Sequence, residues 1–192
     1  MEIKENHGVI EVICGPMFAG KSEELIRRIK RLEYAKKNVL VFKPKIDNRY
    51  SEDEIVSHAK RRTKSYNIVK AKDVYKRLKD DTDAVVIDEV QFLDEEIIDV
   101  ANDLADRGIR IILGGLDMDF KGEPFPIISK LLCIAEDITK LTAICVKCGN
   151  PATRTQRIIN GEPASVNDPI ILVGASEAYE PRCRHCHEVK KD

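Results

Sequence analysis

The octapeptide that begins at Gly15, Gly-Pro-Met-Phe-Ala-Gly-Lys-Ser, constrains the fold more than any other feature. It matches the pattern G-x-x-x-x-G-K-[ST], with a β-branched apolar run at residues 8–14 before it and a helix-periodic segment at residues 22–36 after it. In such a unit the backbone N–H groups and the helix N-terminus surround phosphate oxygens. Lys21 would reach the β- and γ-phosphates, and Ser22 would offer a hydroxyl to Mg²⁺. The candidate nucleotide-binding residues are Gly15, Pro16, Met17, Phe18, Ala19, Gly20, Lys21 and Ser22. A glycine-rich turn that only caps a helix is the alternative.

Strand and helix patterns alternate after this loop. Residues 38–43 are a second apolar strand, so the chain begins with a βαβ unit, which predicts a parallel sheet. Residues 45–65 are polar and without a period, which predicts a long loop. Further strands are predicted at 66–69, 84–87, 109–113 and 138–143, and helices at 74–78, 94–107 (with Asp94 as its cap) and 127–135.

An acidic pair follows the predicted strand at residues 84–87. Asp88 lies at the carboxyl end of that strand, where open α/β sheets bind their ligands, which predicts a carboxylate that holds Mg²⁺ directly or through water. Glu89 points elsewhere and could accept a proton from an attacking hydroxyl or water. The alternative for Glu89 is a favourable interaction with the dipole of a following helix.

Two C-x-x-C pairs are separated by 34 residues near the C-terminus. Four thiolates in such pairs predict a tetrahedral, structural Zn²⁺ site with no open position. The predicted ligands are Cys145, Cys148, Cys183 and Cys186. His185 and His187 compete for the last position, where the spacing favours Cys186. Free or redox-active cysteines are the alternative.

The character of the chain changes near residue 144, where apolar periodicity weakens and turn signals appear. We therefore predict two domains, an α/β nucleotide-binding domain at residues 1–143 and a small zinc-binding domain at residues 144–192. Residues 145–192 carry seven Lys or Arg and six Asp or Glu, a net charge of +1, which is too small to bind a phosphate backbone strongly. Zinc is instead predicted to hold the two ends of the loop at residues 149–182.

The composition excludes several classes of protein. Apolar residues make up 43%, which suffices for a packed core, and the net charge of −1 provides no basic field for nucleic acid. No apolar run approaches the ~18 residues of a membrane span, and the polar N-terminus does not resemble a signal peptide. We predict a soluble, cytoplasmic protein without a membrane or nucleic-acid partner. The two remaining cysteines, Cys14 and Cys133, are predicted to be inert core residues.

Taken together, these motifs resemble the thymidine kinases shared by many bacteria and the vertebrate cytosol. The resemblance rests on the octapeptide, on residues 88–92 (Asp-Glu-Val-Gln-Phe), on residues 115–120 (Gly-Leu-Asp-Met-Asp-Phe) with Pro124-Phe125 after them, and on the two cysteine pairs in order. It covers nearly the whole chain. Ala19 stands where the family often has Ser. The guanine-recognition pattern N-K-x-D and the protein-kinase patterns H-R-D and D-F-G are absent.

The resemblance implies a RecA-like P-loop α/β fold, in which a parallel sheet is flanked by helices and followed by a small C-terminal zinc-ribbon or lasso domain. It implies ATP with Mg²⁺ as the phosphoryl donor, deoxythymidine as the acceptor and Zn²⁺ as a structural ion. Glu89 matches the general base that takes the proton of the 5′-hydroxyl. Asp88 matches the Mg²⁺-associated acid, and Gln91 is placed beside the nucleotide.

The resemblance also implies a nucleoside site beneath the lasso. Phe120 would pack on the thymine ring, Met17 would line the pocket near the 5-methyl group, and backbone groups of the lasso would read the base edge. The implied residues are Met17, Phe120, Ile170, Ile171, Leu172, Val173, Gly174 and Tyr179. An ordinary core position is the alternative for Phe120 and Tyr179.

Further properties are implied by the family alone. They are a homotetrameric assembly, inhibition by the end product dTTP, and a loop at residues 45–65 from which Arg49 could stabilise charge on the transferred phosphoryl group. Two other classes of function remain open from the residues. One is a RecA-like ATPase that acts on nucleic acid through a zinc ribbon, and the other is a non-catalytic nucleotide-binding regulator.

Overall fold

The computed structural model describes residues 8–45, 54–56, 62–170 and 177–191. In chain order the strands are β1 (Ile10–Cys14), β2 (Val39–Pro44), β3 (Glu54–Val56), β4 (Arg62–Lys64), β5 (Tyr66–Ile68), β6 (Ala84–Ile87), β7 (Arg110–Gly115), β8 (Asp137–Lys140), β9 (Ala143–Ile144), β10 (Pro151–Ala152), β11 (Arg154–Ile159), β12 (Glu162–Pro163) and β13 (Glu177–Arg182). The α-helices are α1 (Lys21–Tyr34), α2 (Ile97–Asp106) and α3 (Pro126–Ile134), and short 3₁₀ helices span Ala71–Lys76 and Val90–Phe92.

Six strands form a central parallel sheet in the order β5-β2-β6-β7-β1-β8. Strands β1 and β6 are buried along their whole length, as expected for a sheet covered on both faces. Helix α1 packs on one face through Leu25, Ile26 and Ile29. Helices α2 and α3 contribute to the larger core cluster on the other face. This arrangement confirms the predicted α/β class with a helix-flanked parallel sheet.

The C-terminal region, residues 143–191, forms small antiparallel sheets. Strand β9 pairs with β10, and β11 lies between β12 and β13. Among the described residues of this region, one apolar cluster contains the buried residues Ala143, Cys145, Ala152 and Cys183. A cluster of this size contributes little to stability by itself, which favours a further crosslink.

Four sequence-based predictions were wrong in detail. Residues 45–65 are not one loop, because β3 and β4 pair as an antiparallel ribbon. The helix predicted from Asp94 begins at Ile97, because residues 94–96 form a turn in which the Asp94 carbonyl accepts the Ile97 N–H at 3.2 Å.

The strand predicted at residues 138–143 is divided into β8 and β9. The ladder with β1 ends where the Leu141 N–H donates to the Cys14 carbonyl, and Ala143 then pairs with β10 instead. The fourth difference concerns the two single cysteines. Cys14 is buried as predicted, but Cys133 is exposed on α3.

A buried carboxylate fastens α1 to the central sheet. Glu11 on β1 is 1% exposed and pairs with Arg28 of α1 and with Arg110 of β7. Arg28 also contacts Glu24 at 2.8 Å, so one charged network joins three elements. Because burial of an ion costs free energy, removal of one partner leaves the remaining charges buried without full compensation and destabilises the fold.

We expect Glu11→Gln to lower the free energy of unfolding by about 2 kcal/mol. The effect should lie below the ~3–5 kcal/mol that is lost when a fully buried ion pair is broken. Arg28 keeps its ion pair with Glu24, and the side chain of Arg110 is 33% exposed and can be solvated. Urea unfolding at neutral pH measures the change. The exposed Glu33→Gln on α1 is the matched control and should stay within ~0.5 kcal/mol of the parent. Equal stability of both variants would contradict a role for the network.

Candidate functional site

The glycine-rich octapeptide forms a tight loop between β1 and α1. Gly15 has φ 145°, and a Cβ there would lie 2.4 Å from the Leu141 carbonyl oxygen, so only glycine fits. Phe18 and Gly20 also adopt left-handed conformations, with φ 66° and 86°. The Lys21 ammonium donates a hydrogen bond to the Pro16 carbonyl at 2.7 Å. The loop therefore curls around the end of its own lysine, as a phosphate cradle requires.

Three carboxylates act on the charge of Lys21. Burial lowers the pKa of the Lys21 ammonium, while the negative charges of Asp88, Asp117 and Glu89 act in the opposite direction. The three acids follow the carboxyl ends of β6 and β7, at the sheet edge where the loop begins. The site therefore combines a half-buried cation with several acids, which suits a phosphate group accompanied by a divalent cation.

Asp88 is the acid nearest the helix that follows the loop. It is 5% exposed, and its Oδ2 lies 3.4 Å from the Ser22 hydroxyl. Burial raises the pKa of Asp88 to about 6, and the charge of Glu89 adds to this effect. A hydroxyl and a carboxylate side by side are ligands that Mg²⁺ accepts. Asp88 and Ser22 would hold the ion that accompanies the nucleotide.

Glu89 has a different environment from its neighbour. Its backbone lies in the left-handed region, with φ 52°, which is strained for a non-glycine residue. Its side chain is 37% exposed, and Oε1 lies 3.5 Å from the Lys43 ammonium. Although Glu89 precedes the short 3₁₀ helix Val90–Phe92, its side chain makes no capping hydrogen bond. This argues against a purely helix-capping role and leaves the carboxylate available for proton transfer.

Gln91 occupies a structural position in the described part of the chain. It is 7% exposed, and its Oε1 accepts the Leu116 N–H at 3.1 Å. The side chain therefore connects the segment after β6 with the end of β7. Its predicted place beside the nucleotide stays a prediction.

Asp117 is an acid that the sequence reasoning passed over. It is 6% exposed, and neither carboxylate oxygen has a hydrogen-bond partner among the described residues. The Lys140 ammonium lies 3.1 Å from Oδ2, an ion pair without hydrogen-bond geometry. Its position just after the buried strand β7 repeats the pattern that identified Asp88, and this signal could have found it.

The four predicted metal ligands meet at one point. The sulfurs of Cys145, Cys148, Cys183 and Cys186 all lie within 4.8 Å of one another, and the sulfurs of Cys148 and Cys183 are 3.6 Å apart. Tetrahedral Zn–S bonds of ~2.3 Å place sulfurs about 3.8 Å apart. Burial raises the pKa of Cys145, but hydrogen bonds from the backbone of Cys183, Lys147 and Cys148 lower it to about 6 overall. Hydrogen bonds with the side chains of Cys148 and Cys183 raise the pKa of Cys186 to about 12. By the number and the separation of their sulfurs, the four residues fit Zn²⁺.

The competing histidine lies outside the cysteine cluster. His187 Nε2 is 2.8 Å from the Phe120 carbonyl oxygen, and its backbone N–H donates to the Cys183 carbonyl. His185 is exposed and is not part of the cluster. The fourth sulfur is thus supplied by Cys186, as the spacing favoured.

The predicted nucleoside residues are only partly described. Phe120 is 4% exposed, with the guanidinium carbon of Arg157 5.0 Å from its ring centroid. The Met17 N–H donates to the Thr155 hydroxyl at 3.0 Å, so the phosphate loop contacts the C-terminal region. Tyr179 pairs with Arg157 across β13 and β11. Outside the described residues lie the predictions on Ile171, Leu172, Val173, Gly174 and Arg49.

Comparison with known proteins assigns the family. The model of the thymidine kinase family matches residues 8–187, which is most of the chain. The chain belongs to the thymidine kinase family. Its membership confirms the resemblance inferred from the motifs.

One solved structure is similar in part. The X-ray structure of the Legionella pneumophila ATPase DotB is 13% identical in sequence, with a TM-score of 0.44. The match covers 76% of this chain and 43% of DotB, so the thymidine kinase family chain spans less than half the length of that ATPase. Separately, none of the helices within the described ranges combines the length and the apolar character that crossing a bilayer would require.

Proposed function

We propose that the protein is an ATP:thymidine 5′-phosphotransferase, which transfers the γ-phosphoryl group of ATP to deoxythymidine and forms dTMP. The observation that carries this proposal is the family match over residues 8–187, which includes the phosphate loop, the Asp88–Glu89 pair and all four cysteines. The placement of both acids at the sheet edge beside Lys21 supports it.

Each residue of the edge would have a separate role. Lys21 and the loop amides would hold the phosphates, and Mg²⁺ held by Ser22 and Asp88 would neutralise charge that develops on them. Glu89 would accept the proton of the 5′-hydroxyl as the oxygen attacks the γ-phosphorus. The bond from the γ-phosphorus to the bridging oxygen of the β-phosphate would break, and ADP would leave with that oxygen. The proton on Glu89 would then leave to solvent, because its side chain is 37% exposed. Most of the rate would come from positioning and charge stabilisation.

The nucleoside would lie between the phosphate loop and the C-terminal region. Phe120, whose ring centroid lies 5.0 Å from the guanidinium carbon of Arg157, is proposed to pack on the base. Met17, Tyr179 and residues 170–174 are proposed to complete the pocket. Zn²⁺ held by the four cysteines would fix the base of this segment without taking part in the chemistry.

The finer properties implied by the family belong to the same proposal. They include assembly into a homotetramer and feedback binding of dTTP. Gln91 and the remaining residues of the phosphate loop are proposed to bind ATP, and the chain is proposed to divide into domains at residues 1–143 and 144–192. Strand β9, Ala143–Ile144, straddles that boundary. A cytoplasmic location is proposed because reduced thiolate ligands persist in a reducing compartment.

A phosphoryl-transfer screen tests the proposed function. Purified protein is incubated with Mg²⁺, ATP radiolabelled in its γ-phosphate, and each of the four common deoxynucleosides, and labelled monophosphates are separated. We expect deoxythymidine to be the strongly labelled acceptor. ATP hydrolysis stimulated by DNA with no labelled nucleotide would favour the nucleic-acid ATPase, and ATP binding without transfer would favour the regulator.

A further inference from the structure

A buried carboxylate without hydrogen bonds lies just after β7, beside the proposed nucleotide site. Asp117 is 6% exposed, and within the part of the chain that the structure describes neither of its carboxylate oxygens accepts a hydrogen bond. The Lys140 ammonium, on a side chain that is 55% exposed, lies 3.1 Å from Oδ2. Burial of a carboxylate costs free energy unless hydrogen-bond donors or cations compensate it. A fold that keeps such a group calls for a reason, and a ligand that brings donors is one.

The backbone holds Asp117 in this position. The Leu116 N–H donates to Gln91 Oε1 at 3.1 Å, directly before Asp117. The Asp117 carbonyl accepts the Phe125 N–H at 3.0 Å. The chain is thus bonded on both sides of the carboxylate, which therefore stays in the interior.

Asp117 belongs to the sheet edge that carries the phosphate loop. Strand β7 lies between β6 and β1, so Asp117 follows the strand that separates Asp88 from the start of the loop. A Cβ on Gly114 of β7 would lie 3.2 Å from Asp88 Oδ1, so the Asp88 carboxylate rests against the end of this strand. Cys14, which precedes the loop, pairs in register with Gly115, two positions before Asp117. The two acids and the loop are therefore neighbours at one edge.

The charge of Asp117 is felt at both ends of the phosphate loop. Burial lowers the pKa of the Lys21 ammonium, and among the acids that oppose this effect Asp117 is second only to Asp88, ahead of Glu89. Burial raises the pKa of the Cys14 thiol, and the charge of Asp117 adds to that effect. These effects agree with the placement that the strand order gives.

A divalent cation that accompanies a nucleotide brings the donors that Asp117 lacks. Mg²⁺ in nucleotide sites usually keeps several of its waters, and these waters donate hydrogen bonds. Carboxylates that accept such bonds raise the affinity of a site for its metal without touching the ion. Two buried acceptor oxygens beside Asp88 and Ser22 suit this role.

We propose that Asp117 is a further binding residue of the nucleotide site, and that its carboxylate accepts hydrogen bonds from waters of the divalent cation held at Ser22 and Asp88. The proposal rests on the proposed function only in that it requires ATP with a divalent cation. Asp117 takes no proton from the acceptor hydroxyl. Its negative charge favours the metal-bound nucleotide and opposes the metal-free one, whose phosphates repel it.

Calorimetric titration with AMPPNP, an ATP analogue that is not hydrolysed, tests the proposal in two buffers. One contains excess Mg²⁺, and the other is freed of divalent cations with a chelating resin, because EDTA would compete for zinc at the cysteines. We expect Asp117→Asn to raise Kd in Mg²⁺ about tenfold or more, the usual effect of removing a group that bonds to the ligands of a metal. Without Mg²⁺, Kd should stay within about twofold or fall, because a charge that repels the phosphates is gone.

Asp119→Asn is the matched control on the same segment. Asp119 is 7% exposed, but its Oδ1 already accepts the N–H groups of Lys121 and Glu123, at 2.8 Å and 3.0 Å. The substitution removes the same charge and leaves an amide oxygen that can keep these bonds. We expect the ratio of the two Kd values to stay within about twofold of that of the unsubstituted protein, because this carboxylate serves the loop.

Urea unfolding without nucleotide gives a second, independent measurement. Asp117→Asn removes a buried charge, and its partner Lys140 is 55% exposed and can be solvated. We expect the midpoint of unfolding to equal or exceed that of the unsubstituted protein, as happens where a binding group is held at a cost to stability.

Four outcomes overturn the inference. They are an unchanged Kd in Mg²⁺ for Asp117→Asn, equal increases of its Kd in both buffers, an effect of Asp119→Asn on the ratio as large as that of Asp117→Asn, and a lower midpoint of unfolding or failure to fold in Asp117→Asn. The last would assign the carboxylate to the fold. Failure of the proposed function is distinct, because the unsubstituted protein would then form no dTMP, whichever Kd values Asp117→Asn shows.

Discussion

Glu89→Gln is expected to lower kcat for deoxythymidine phosphorylation by about 10²–10⁴-fold, the usual contribution of a positioned general base. The amide is nearly isosteric with the carboxylate but cannot accept a proton from the 5′-hydroxyl. KM for deoxythymidine should change little, because the proposed nucleoside contacts come from other residues. Initial rates at saturating ATP and Mg²⁺ measure the effect.

The structural basis of this prediction is the contrast between two adjacent acids. Asp88 is 5% exposed and held by the Glu89 N–H at 2.9 Å, whereas the Glu89 side chain is 37% exposed. The backbone at Glu89 lies in the left-handed region, with φ 52°. A carboxylate open to solvent can both accept a proton and release it.

A matched variant separates loss of the base from loss of a surface charge. Glu95→Gln removes an exposed glutamate whose partner, Lys130, lies 2.8 Å away on α3. Its kcat should equal that of the unsubstituted protein within about twofold, because a surface pair of this kind contributes ~1 kcal/mol or less to stability. Turnover of Glu89→Gln at the unsubstituted rate would remove Glu89 as the base.

Cys183→Ser is expected to release the metal and unfold the C-terminal region. Structural zinc supplies ~10–16 kcal/mol of apparent binding free energy to small domains, and the apolar cluster beside the cysteines holds four buried residues among those that the structure describes. Metal analysis should fall from one zinc per chain to nearly none. A thermal melt should show an early transition that the unsubstituted protein lacks.

Cys133→Ser provides the control, because Cys133 is exposed and lies outside the cysteine cluster. This variant should keep its zinc and its melting temperature. A Cys183→Ser protein with a full equivalent of zinc and an unchanged melt would contradict the metal site.

Zinc loss should also reach the phosphate loop. Ala19 of that loop packs against the cluster that contains Cys145 and Cys183, and Met17 bonds to Thr155. We therefore expect Cys183→Ser to weaken ATP binding as well as nucleoside binding.

Local patterns in the sequence predicted the central sheet and the site that it carries. Strand β6 and the loop from Gly15 to Ser22 were recognisable because buried parallel strands are continuous apolar runs and the loop needs glycine at fixed positions. The four cysteines were recognisable because zinc imposes a short, repeated spacing on its ligands.

Tertiary structure decided what depends on contacts between distant segments. Asp117 and Lys140 lie 23 positions apart, and Arg157 and Phe120 lie 37 apart, yet each pair is in contact. No local period marks such pairs, because the free energy that buries a charge comes from the partners that the fold brings to it. The sequence by itself thus predicted most elements of the central sheet, the phosphate loop and the four cysteines that cluster. Which buried polar side chains meet around them was decided only when the chain packed, because burial and pairing are properties of the assembled core.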